Sequence, residues 1–551
     1  MFINRRQALA GMSSALLLPT ATASVDVANE VFEHGVASGD PDQHSVVLWT
    51  RVSGQSGSVS LDWVVATDRA MRHVVSGGQT QTSVAQDYTV KVFPQGLPSG
   101  QTLYFQFSVN GIVSPVGRTR TLPVGDVDQW VFAVASCSNY PFGCFNGYQA
   151  IADDPDVDAV IHLGDYFYEY GADSYGAAEG RRLNRVHEPP HETVTLSDYR
   201  QRHAQYKRDA GSLAMHARHP LIPTWDDHES ANNPYKDGAQ NHQEDEGAWP
   251  DRRSVSLRAY YEWMPVREPA LGEPLEQRRA HLSIGNLASV FAVETRHMAR
   301  SKQIELSEYQ EEVTTPEAAA RFYDQVVGAP NRQMMSFADE RYLAAGLAQS
   351  VAQKQRWRIL ANQIILANVV SPDLRDPVFQ NAVKDLDERS KRLAADLTAV
   401  GTLSLPSNMD AWDGYPAARS RLYALAAEAG ARDLLVLTGD THVFWQNRLL
   451  DDKGAPAGLE LGTSGITSPR GFGQLGEVAM NRFDALTAAQ NDSVDWADGR
   501  YRGYIKLTLQ QERAVAQFIA LSTIESRMFS TKVVREVEIV PKEGSLDYRN
   551  G

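Results

Sequence analysis

Four short apolar runs of this chain end directly in groups of ionisable residues, and this pattern limits the folds that the chain can adopt. The runs span Trp130 to Ala135, Ala159 to Leu163, Leu221 to Trp225 and Leu434 to Leu437, with further strand candidates at Leu287 to Val293 and Trp357 to Leu366. Helical stretches lie between them, such as Leu196 to Met215 and Ala417 to Glu428. Strands that alternate with helices predict a layered α/β domain with the helices outside.

The residues that follow these runs carry a thiol, a phenol, carboxylates and imidazoles. They are Cys137 after the first run, Asp165 and Tyr168 after the second, Asp226, Asp227 and His228 after the third, and Asp440 and His442 after the fourth. In layered α/β sheets, ligands bind at the carboxyl ends of the strands. Because burying so many ionisable groups together is costly unless cations neutralise them, the pattern predicts a metal site there.

The first part of the chain has the alternating apolar pattern of strands. Ser45 to Arg51, Val59 to Val65 and Leu103 to Val109 are strand candidates, and Asn110-Gly111 supplies a hairpin turn. No convincing helical stretch appears here, so we predict a small antiparallel β-sandwich of the fibronectin or immunoglobulin type over residues 28–123. A larger domain is expected to follow over residues 126–540.

The N-terminus has the pattern of an export signal over residues 1–23. Arg5 and Arg6 precede the apolar stretch Ala8 to Leu18, and Ala21-Thr22-Ala23 resembles a signal-peptidase site. The arginine pair favours the Tat route, with the Tat translocase as a partner during export, over an ordinary Sec signal. We therefore expect a periplasmic or secreted protein. No later stretch is long and apolar enough to predict a transmembrane helix.

The charge of the chain limits its partners. Its 551 residues carry a formal net charge of −15. So acidic a surface repels phosphate backbones, and nucleic acid is not expected as a stable partner. An enzyme this acidic that acted on phosphates would need bound cations to reverse the charge locally.

The order of the polar groups resembles the motif order of the binuclear metallophosphoesterase superfamily. Gly164-Asp165-Tyr166-Phe167-Tyr168 matches its second block in the tyrosine form. Asp226-Asp227-His228-Glu229 matches the third block, with Asp227 in the place of an asparagine. Gly439-Asp440-Thr441-His442 matches the last block, with Asp440 in the place of a histidine. The first block, D-x-H, has no match, and Ser136-Cys137-Ser138-Asn139 stands there instead.

These departures are typical of the PhoD-like alkaline phosphatase and phospholipase D family, which the chain resembles over most of its length. The strings that carry the resemblance are S-C-S-N-Y, H-L-G-D-Y-F-Y-E-Y, T-W-D-D-H-E and L-T-G-D-T-H, with Phe32 to Pro41 and Glu294-Thr295-Arg296. The resemblance implies a layered β-sandwich metallophosphoesterase core flanked by helices, which places the chain in the α/β class, preceded by a small all-β domain.

The resemblance also implies a centre of Fe³⁺ and Ca²⁺. The metal ligands expected from it are Cys137, Asp165, Tyr168, Asp227, Asp440 and His442. Asn362, at the end of the strand that begins at Trp357, is a further candidate as an oxygen ligand or a substrate contact. A thiolate at Cys137 and a phenolate at Tyr168 favour ferric iron. Oxygen donors at Asp227 and Asp440 suit calcium better than zinc, and Asp165 can bridge the two ions.

The reaction implied is hydrolysis of a small phosphate monoester, and possibly of diesters, by in-line attack of a water or oxide that the metals activate. His228 is predicted to protonate the leaving alkoxide, and Arg296 to hold the phosphate. One alternative is a phosphodiesterase of the phospholipase D type. Another is a non-catalytic exported protein that binds metal for stability and uses its β-domain for adhesion.

The two cysteines of the chain, Cys137 and Cys144, allow a second interpretation. In an oxidising compartment they could form a disulfide, which would remove the thiolate ligand. The position of Cys137 at a strand end favours the metal role.

Overall fold

A computed structural model gives the fold of residues 30–406 and 408–549, so the predicted export signal lies outside the described residues. The strands, in chain order, are β1 Val36–Gly39, β2 Val47–Arg51, β3 Val59–Ala66, β4 Val74–Thr82, β5 Thr89–Val92, β6 Thr102–Val109, β7 Ile112–Val113, β8 Gly117–Arg120, β9 Gln129–Ala135, β10 Ala159–His162, β11 Leu221–Pro223, β12 Pro234–Tyr235, β13 Gly238–Ala239, β14 Ala280–Ile284, β15 Ala288–Ala292, β16 Trp357–Ala361, β17 Leu434–Thr438, β18 Phe444–Leu450, β19 Pro456–Gly462, β20 Val494–Asp498, β21 Gly503–Gln510, β22 Ala514–Leu521, β23 Thr531–Lys542 and β24 Ser545–Arg549. The helices that lie wholly within the described residues are α1 Asn146–Asp153, α2 Ala177–Leu183, α3 Leu196–Lys207, α4 Ala210–Arg218, α5 Trp249–Trp263, α6 Pro316–Phe322, α7 Phe337–Ala352, α8 Pro377–Val383, α9 Glu388–Thr402, α10 Pro416–Glu428 and α11 Glu477–Gln490.

Two large mixed sheets pack face to face. One has ten strands in the order β24-β23-β22-β21-β9-β10-β11-β1-β2-β5, and the other has seven in the order β14-β15-β16-β17-β19-β18-β20. The buried side chains between them include Phe132 and Ile505 from the first sheet and Leu435 and Leu461 from the second. The central strands β9, β10 and β11 run parallel, as do β15, β16, β17 and β19.

Helices cover the outer faces of both sheets. On the ten-stranded sheet, Tyr148 of α1, Tyr206 of α3 and Tyr260 of α5 pack against Val160 and its neighbours. On the seven-stranded sheet, α7 and α10 pack against β16 and β17 in the same way. This sandwich of two sheets between helices confirms the predicted α/β fold.

The N-terminal part forms its own small sandwich, but it shares a sheet with the larger domain. Strands β3, β4, β6, β7 and β8 form one sheet. Its side chains, such as Phe105, pack against Leu48 and Val90 from β2 and β5. Strands β1, β2 and β5 continue the ten-stranded sheet, because β1 pairs in parallel with β11 through Gly39 and Leu221. The boundary between residues 123 and 126 therefore stays a prediction.

The junction between β1 and β11 requires a glycine and a buried ion pair. A Cβ atom at Gly39 would lie 2.3 Å from the carbonyl oxygen of Pro265 and 2.6 Å from that of Leu221. The next residue, Asp40, accepts two hydrogen bonds from the Arg278 guanidinium at 2.7 and 2.9 Å, both side chains being buried.

Two predicted elements end earlier than expected. The predicted helix from Leu196 to Met215 is broken between α3 and α4, because the Asp209 carboxylate accepts a hydrogen bond from the Gly211 amide and starts a second helix. The predicted strand from Trp357 ends at Ala361. The polar segment 235–251 contains most of the β12–β13 hairpin and the first turn of α5. Among the described residues, no helix has both the length and the apolar character needed to cross a membrane.

Candidate metal centre

The predicted donors come together at the carboxyl ends of the parallel strands. Three groups of side chains each bring their donor atoms within 4.8 Å of one another. The groups are Cys137 with Asp165 and His442, then Asp165 with Asp227 and His228, and finally Asp226 with Asp227 and Asp440. Because Asp165 and Asp227 each belong to two groups, the three groups form one continuous cluster.

The backbone turns sharply where these donors leave their strands. Cys137, Asp165, Asp440 and His442 all have left-handed conformations, with φ of 59°, 53°, 62° and 58°. Gly164, just before Asp165, also has a positive φ of 95°, and a Cβ there would lie 2.3 Å from the Asp226 amide nitrogen. The glycine is therefore required for the two neighbouring strand ends to approach each other.

Tyr168 joins the first group through hydrogen bonds. Its hydroxyl donates to Asp165 Oδ2 at 2.9 Å and lies 3.1 Å from His442 Nε2. The other ring nitrogen of His442, Nδ1, lies 2.6 Å from the Pro469 carbonyl oxygen. Because a carbonyl only accepts, Nδ1 carries the proton and the Nε2 lone pair points into the cluster. Burial and the nearby Arg502 lower the pKa of His442 to about 3, so this imidazole is a neutral donor.

The acidic donors cannot all ionise unaided. Burial, with the charge of Asp165, raises the pKa of Cys137 and of Tyr168 well above their ordinary values. Burial and neighbouring carboxylates also raise the pKa of Asp165 and of Asp440. A cation in their midst would reverse these shifts.

Several buried oxygens of the cluster have no partner in the part of the chain that the structure describes. Asp165 Oδ1, Asp226 Oδ2 and Asp227 Oδ1 accept no hydrogen bond from these residues. A buried carboxylate oxygen without a partner is costly unless a cation binds it. The donor set therefore fits a metal centre of thiol, phenol, imidazole and carboxylate groups.

His228 is held from behind by a carboxylate. Its Nδ1 lies 2.7 Å from Glu169 Oε2, while its Nε2 faces Asp227 Oδ2 at 3.9 Å. The other Glu169 oxygen accepts from the Asn232 amide and the Asn241 side chain at 2.7 and 2.8 Å. Burial opposes protonation of His228, but Asp227 and Glu169 outweigh it and raise the pKa of this imidazole well above its usual value.

Arg296 is fully buried beside the cluster, and two of its three nitrogens donate to carboxylates. Its Nε donates to Asp226 and its Nη1 to Asp410, both at 2.6 Å. The remaining nitrogen, Nη2, has no hydrogen-bond partner and lies 3.9 Å from Asp227 and 3.8 Å from Asp440. The guanidinium fork predicted to clamp phosphate is thus committed to carboxylates, and only Nη2 faces the cluster.

Asn362 and Cys144 have other surroundings. The Asn362 oxygen accepts from Trp412 Nε1 at 3.2 Å, and its amide group donates to the Ile364 carbonyl. Its role as a ligand stays a prediction. Cys137 and Cys144 are both free thiols, so the alternative disulfide is not formed.

Three buried acids that support the site had no role assigned from the sequence. Glu229 accepts from the amides of Asp165, Tyr166 and Asp226 at 3.1, 2.7 and 2.9 Å, and so ties two strand ends together. Glu169 and Asp410 hold His228 and Arg296 as described above. Glu229 lies within the motif string T-W-D-D-H-E and Glu169 within H-L-G-D-Y-F-Y-E-Y, and these positions were the sequence signal for them.

The fold and the cluster define the class of protein: a layered α/β enzyme whose strand ends gather the donors of a metal centre. The sequence profile of PhoD-like phosphatases matches residues 132–518, and that of the N-terminal domain of PhoD-like phosphatases matches residues 19–123. The alkaline phosphatase D of Bacillus subtilis (strain 168) is 31% identical over 539 residues, which cover 94% of this chain and 83% of that protein.

A solved structure gives the same result. The structure of PhoD superimposes with a TM-score of 0.75 at 28% identity, covering 95% of this chain and 92% of that one. The chain belongs to the PhoD-like phosphatase family. The predicted family and the predicted enzyme class, a phosphoric ester hydrolase related to alkaline phosphatase D, are thereby confirmed.

Proposed function

We propose that the chain is an exported, metal-dependent phosphatase that hydrolyses phosphate monoesters and releases inorganic phosphate. The observation that carries the proposal is the overlap of the three donor groups through Asp165 and Asp227. Shared carboxylates are what two adjacent cations need in order to be held side by side. This arrangement suits an ester whose phosphate oxygens carry negative charge.

The donor types divide the centre between two ions. We assign Fe³⁺ to the side of Cys137, Tyr168 and His442, and Ca²⁺ to the side of Asp227 and Asp440, with Asp165 between them and Asn362 as a further candidate. When bound, the cations would supply Lewis acidity toward the phosphate and the attacking water. In a buried setting they would also allow the carboxylates and the thiol to ionise.

The side chains around the centre have separate tasks. Glu169 accepts a hydrogen bond from His228 Nδ1, so Nε2 is directed at the cluster. His228 is the group that can give a proton to the departing alkoxide, because Glu169 holds its Nδ1 and its Nε2 faces the cluster. Arg296 offers the single free nitrogen Nη2 to a phosphate oxygen and neutralises Asp226 and Asp410.

We further propose export by the Tat route to the periplasm or the medium, based on the Arg5-Arg6 pair and the apolar stretch after it. A protein exported after folding can carry metals bound beforehand. Replacing both arginines by lysine should keep the enzyme in the cytoplasm. Unchanged export of the double variant would contradict the Tat assignment.

Metal analysis of the purified mature protein, with a visible absorption spectrum, tests the centre. We expect nearly one iron per chain, calcium, and a charge-transfer band from the Tyr168 phenolate to iron. Tyr168→Phe should abolish this band, whereas the control Tyr170→Phe should keep it, because Tyr170 packs on the His228 ring with centroids 5.4 Å apart and is not a proposed ligand. Zinc or manganese without the band would remove the roles assigned to Cys137 and Tyr168.

Turnover of matched substrates tests the reaction. The pure enzyme should release phosphate from an aryl phosphate faster than it cleaves the corresponding bis-aryl phosphodiester. A preference for the diester would favour the alternative phosphodiesterase. Retention of the biological effect in His228→Ala with its metal intact would favour the non-catalytic alternative.

A further inference from the structure

A cleft of about 600 Å³ lies between the start of β21, the end of β22 and the start of β23. Its polar lining consists mainly of Arg500, Arg502 and Lys532, the hydroxyl residues around Ser530, and Glu525. The chain as a whole carries a net charge of −15, so this concentration of cations stands out.

Arg502 connects this cleft to the centre. Its Nη1 donates to the His442 carbonyl oxygen at 2.7 Å and to Ser464 Oγ at 2.9 Å, and its Nη2 donates to the Gly499 carbonyl oxygen at 3.1 Å. All of these acceptors are neutral, and within residues 30–406 and 408–549 no carboxylate forms an ion pair with this guanidinium. Consistent with this, burial and the nearby Arg470 lower the pKa of Arg502 to about 10.

Lys532 supplies a second cation, which has no acidic partner among the described residues. Its Nζ donates to the Tyr501 hydroxyl at 3.1 Å and lies 4.3 Å from the centre of that ring. In contrast, the other charges of the cleft are balanced. Arg500 pairs with Asp498 at 2.9 Å, and Glu525 pairs with Arg182 at 2.7 Å. Two positive charges are therefore left over.

Tyr175 packs beside Tyr168 of the centre. Its ring centroid is 6.3 Å from that of Tyr168, and its side chain is partly exposed. Burial raises the pKa of Tyr175, whereas the charge of Arg502 opposes this shift.

We propose that this cleft is a subsite for an anionic group on the alcohol part of the ester, recognised by Arg502 and Lys532. The preferred substrates are then phosphate esters that carry a second anion, a carboxylate or a tetrahedral phosphate-like group, beside the scissile phosphate. The inference rests on the phosphatase function proposed above. Guanidinium and ammonium groups without counter-charges are suited to such anions.

A pair of substrates of equal size isolates the second charge. These are 3-carboxyphenyl phosphate and its neutral analogue, 3-carbamoylphenyl phosphate, and the quantity measured is the ratio of their kcat/KM values. The 3-sulfophenyl ester, which carries a tetrahedral anion, shows whether the subsite prefers planar or tetrahedral geometry. We expect the ratio to favour the charged esters, and to fall as salt is added, because exposed charges are screened.

The variant that tests the subsite is Lys532→Gln. Arg502 is not replaced, because its guanidinium also holds the His442 carbonyl and its loss could disturb the centre. The ratio should fall roughly two- to fivefold in this variant, which is the effect of losing an exposed ion pair. The control Lys391→Gln removes an exposed lysine on α9 and should keep the wild-type ratio. Because each ratio uses the same two esters, intrinsic differences in their reactivity cancel between the enzymes.

Equal ratios in wild type and Lys532→Gln, with both esters hydrolysed, would overturn the subsite and leave the phosphatase function standing. Failure to hydrolyse either ester would instead overturn the proposed function, and with it the subsite as a feature of substrate binding. A lower ratio in both Lys532→Gln and Lys391→Gln would also overturn the subsite, because the effect would then come from overall charge.

Discussion

At the scale of single residues, four proposed metal ligands have a left-handed backbone conformation that residues other than glycine rarely adopt. Cys137, Asp165, Asp440 and His442 all have φ between 53° and 62°. Each such residue costs about 1–3 kcal/mol and persists only where the surroundings enforce it. Because these positions need a donor side chain, glycine cannot relieve the cost. The concentration of left-handed residues at one place is therefore independent support for a functional centre.

The substitution Glu169→Gln tests whether the Glu169 carboxylate positions the His228 imidazole. The amide keeps the size of the side chain but removes the negative charge that fixes the imidazole through its 2.7 Å contact. We expect kcat to fall about 10–100-fold with little change in KM or metal content, as for other positioning groups behind catalytic side chains. Steady-state kinetics and metal analysis of the same preparation check this. An unchanged kcat would show that His228 needs no anion behind it.

Arg296→Met separates a structural role from a catalytic one. The change leaves Asp226 and Asp410 buried without their cation. Removing one partner of a buried ion pair costs about 3–5 kcal/mol, so the free energy of unfolding should fall by that amount. Urea unfolding measures it. If Arg296 acted only on the phosphate, stability would stay at the wild-type value while KM rose.

The residues that gather in the cluster could be predicted from the sequence, because each follows an apolar run and stands at the place of a motif block. Their supporting groups could not. Glu169 contacts His228 across 59 positions in the chain, and Asp410 contacts Arg296 across 114. No local pattern reveals such a partner, since any buried or exposed acid looks the same in the sequence.

At the scale of elements, the packing of α3 against α5 buries an unusual imidazole. His203 is fully buried, neither ring nitrogen has a hydrogen-bond partner, and the ring stacks on Trp263 at 6.2 Å. Burial lowers its pKa well below 6.5. The folded protein therefore keeps His203 neutral at pH values where the unfolded chain would protonate it.

His203→Phe removes the free-energy cost of keeping this imidazole neutral in the folded protein. Below pH 6.5 the unfolded wild-type chain binds a proton at this position that the folded state excludes, so wild-type stability falls as pH falls. Phenylalanine does not titrate, so the stability of the variant relative to wild type should rise by up to about 1.4 kcal/mol for each pH unit below 6.5. Urea unfolding of both proteins at pH 7, 6 and 5 measures this slope. A difference that stays constant with pH would show that His203 titrates normally in the fold.

Most elements could be predicted because their apolar residues have the right period. The break between α3 and α4 could not, because helical residues continue on both sides of it. Asp209 is the one local signal, as a helix-capping residue, and it becomes decisive only when tertiary packing turns the chain there. Local patterns thus identify where elements lie more reliably than where they end.

At the scale of the whole molecule, the N-terminal sandwich is joined to the larger domain by a continuous sheet. The pairing of β1 with β11 could not be predicted, because the paired residues Gly39 and Leu221 are 182 positions apart in the sequence and no motif links them. The family string from Phe32 to Pro41 marked one side of this junction but not its partner strand. Gly39 and Asp40 at its end form the junction, one through close contact and the other through its ion pair with Arg278.

The shared sheet makes the fragment 126–551 a test of the whole architecture. Without β1, the short strand β11 would become an edge with unpaired backbone groups, and Trp263 of α5 would lose its contacts with Ala37 and Trp49. Arg278 would also lose Asp40 and remain buried without a counter-charge. We expect the fragment to aggregate or to unfold at a much lower temperature than residues 24–551, and to bind less metal, because β11 leads into Asp226 and Asp227. Thermal unfolding, size-exclusion chromatography and metal analysis compare the two. A monomeric fragment with the metal content and melting temperature of the longer protein would show that the sandwich is an independent module attached to a complete catalytic domain.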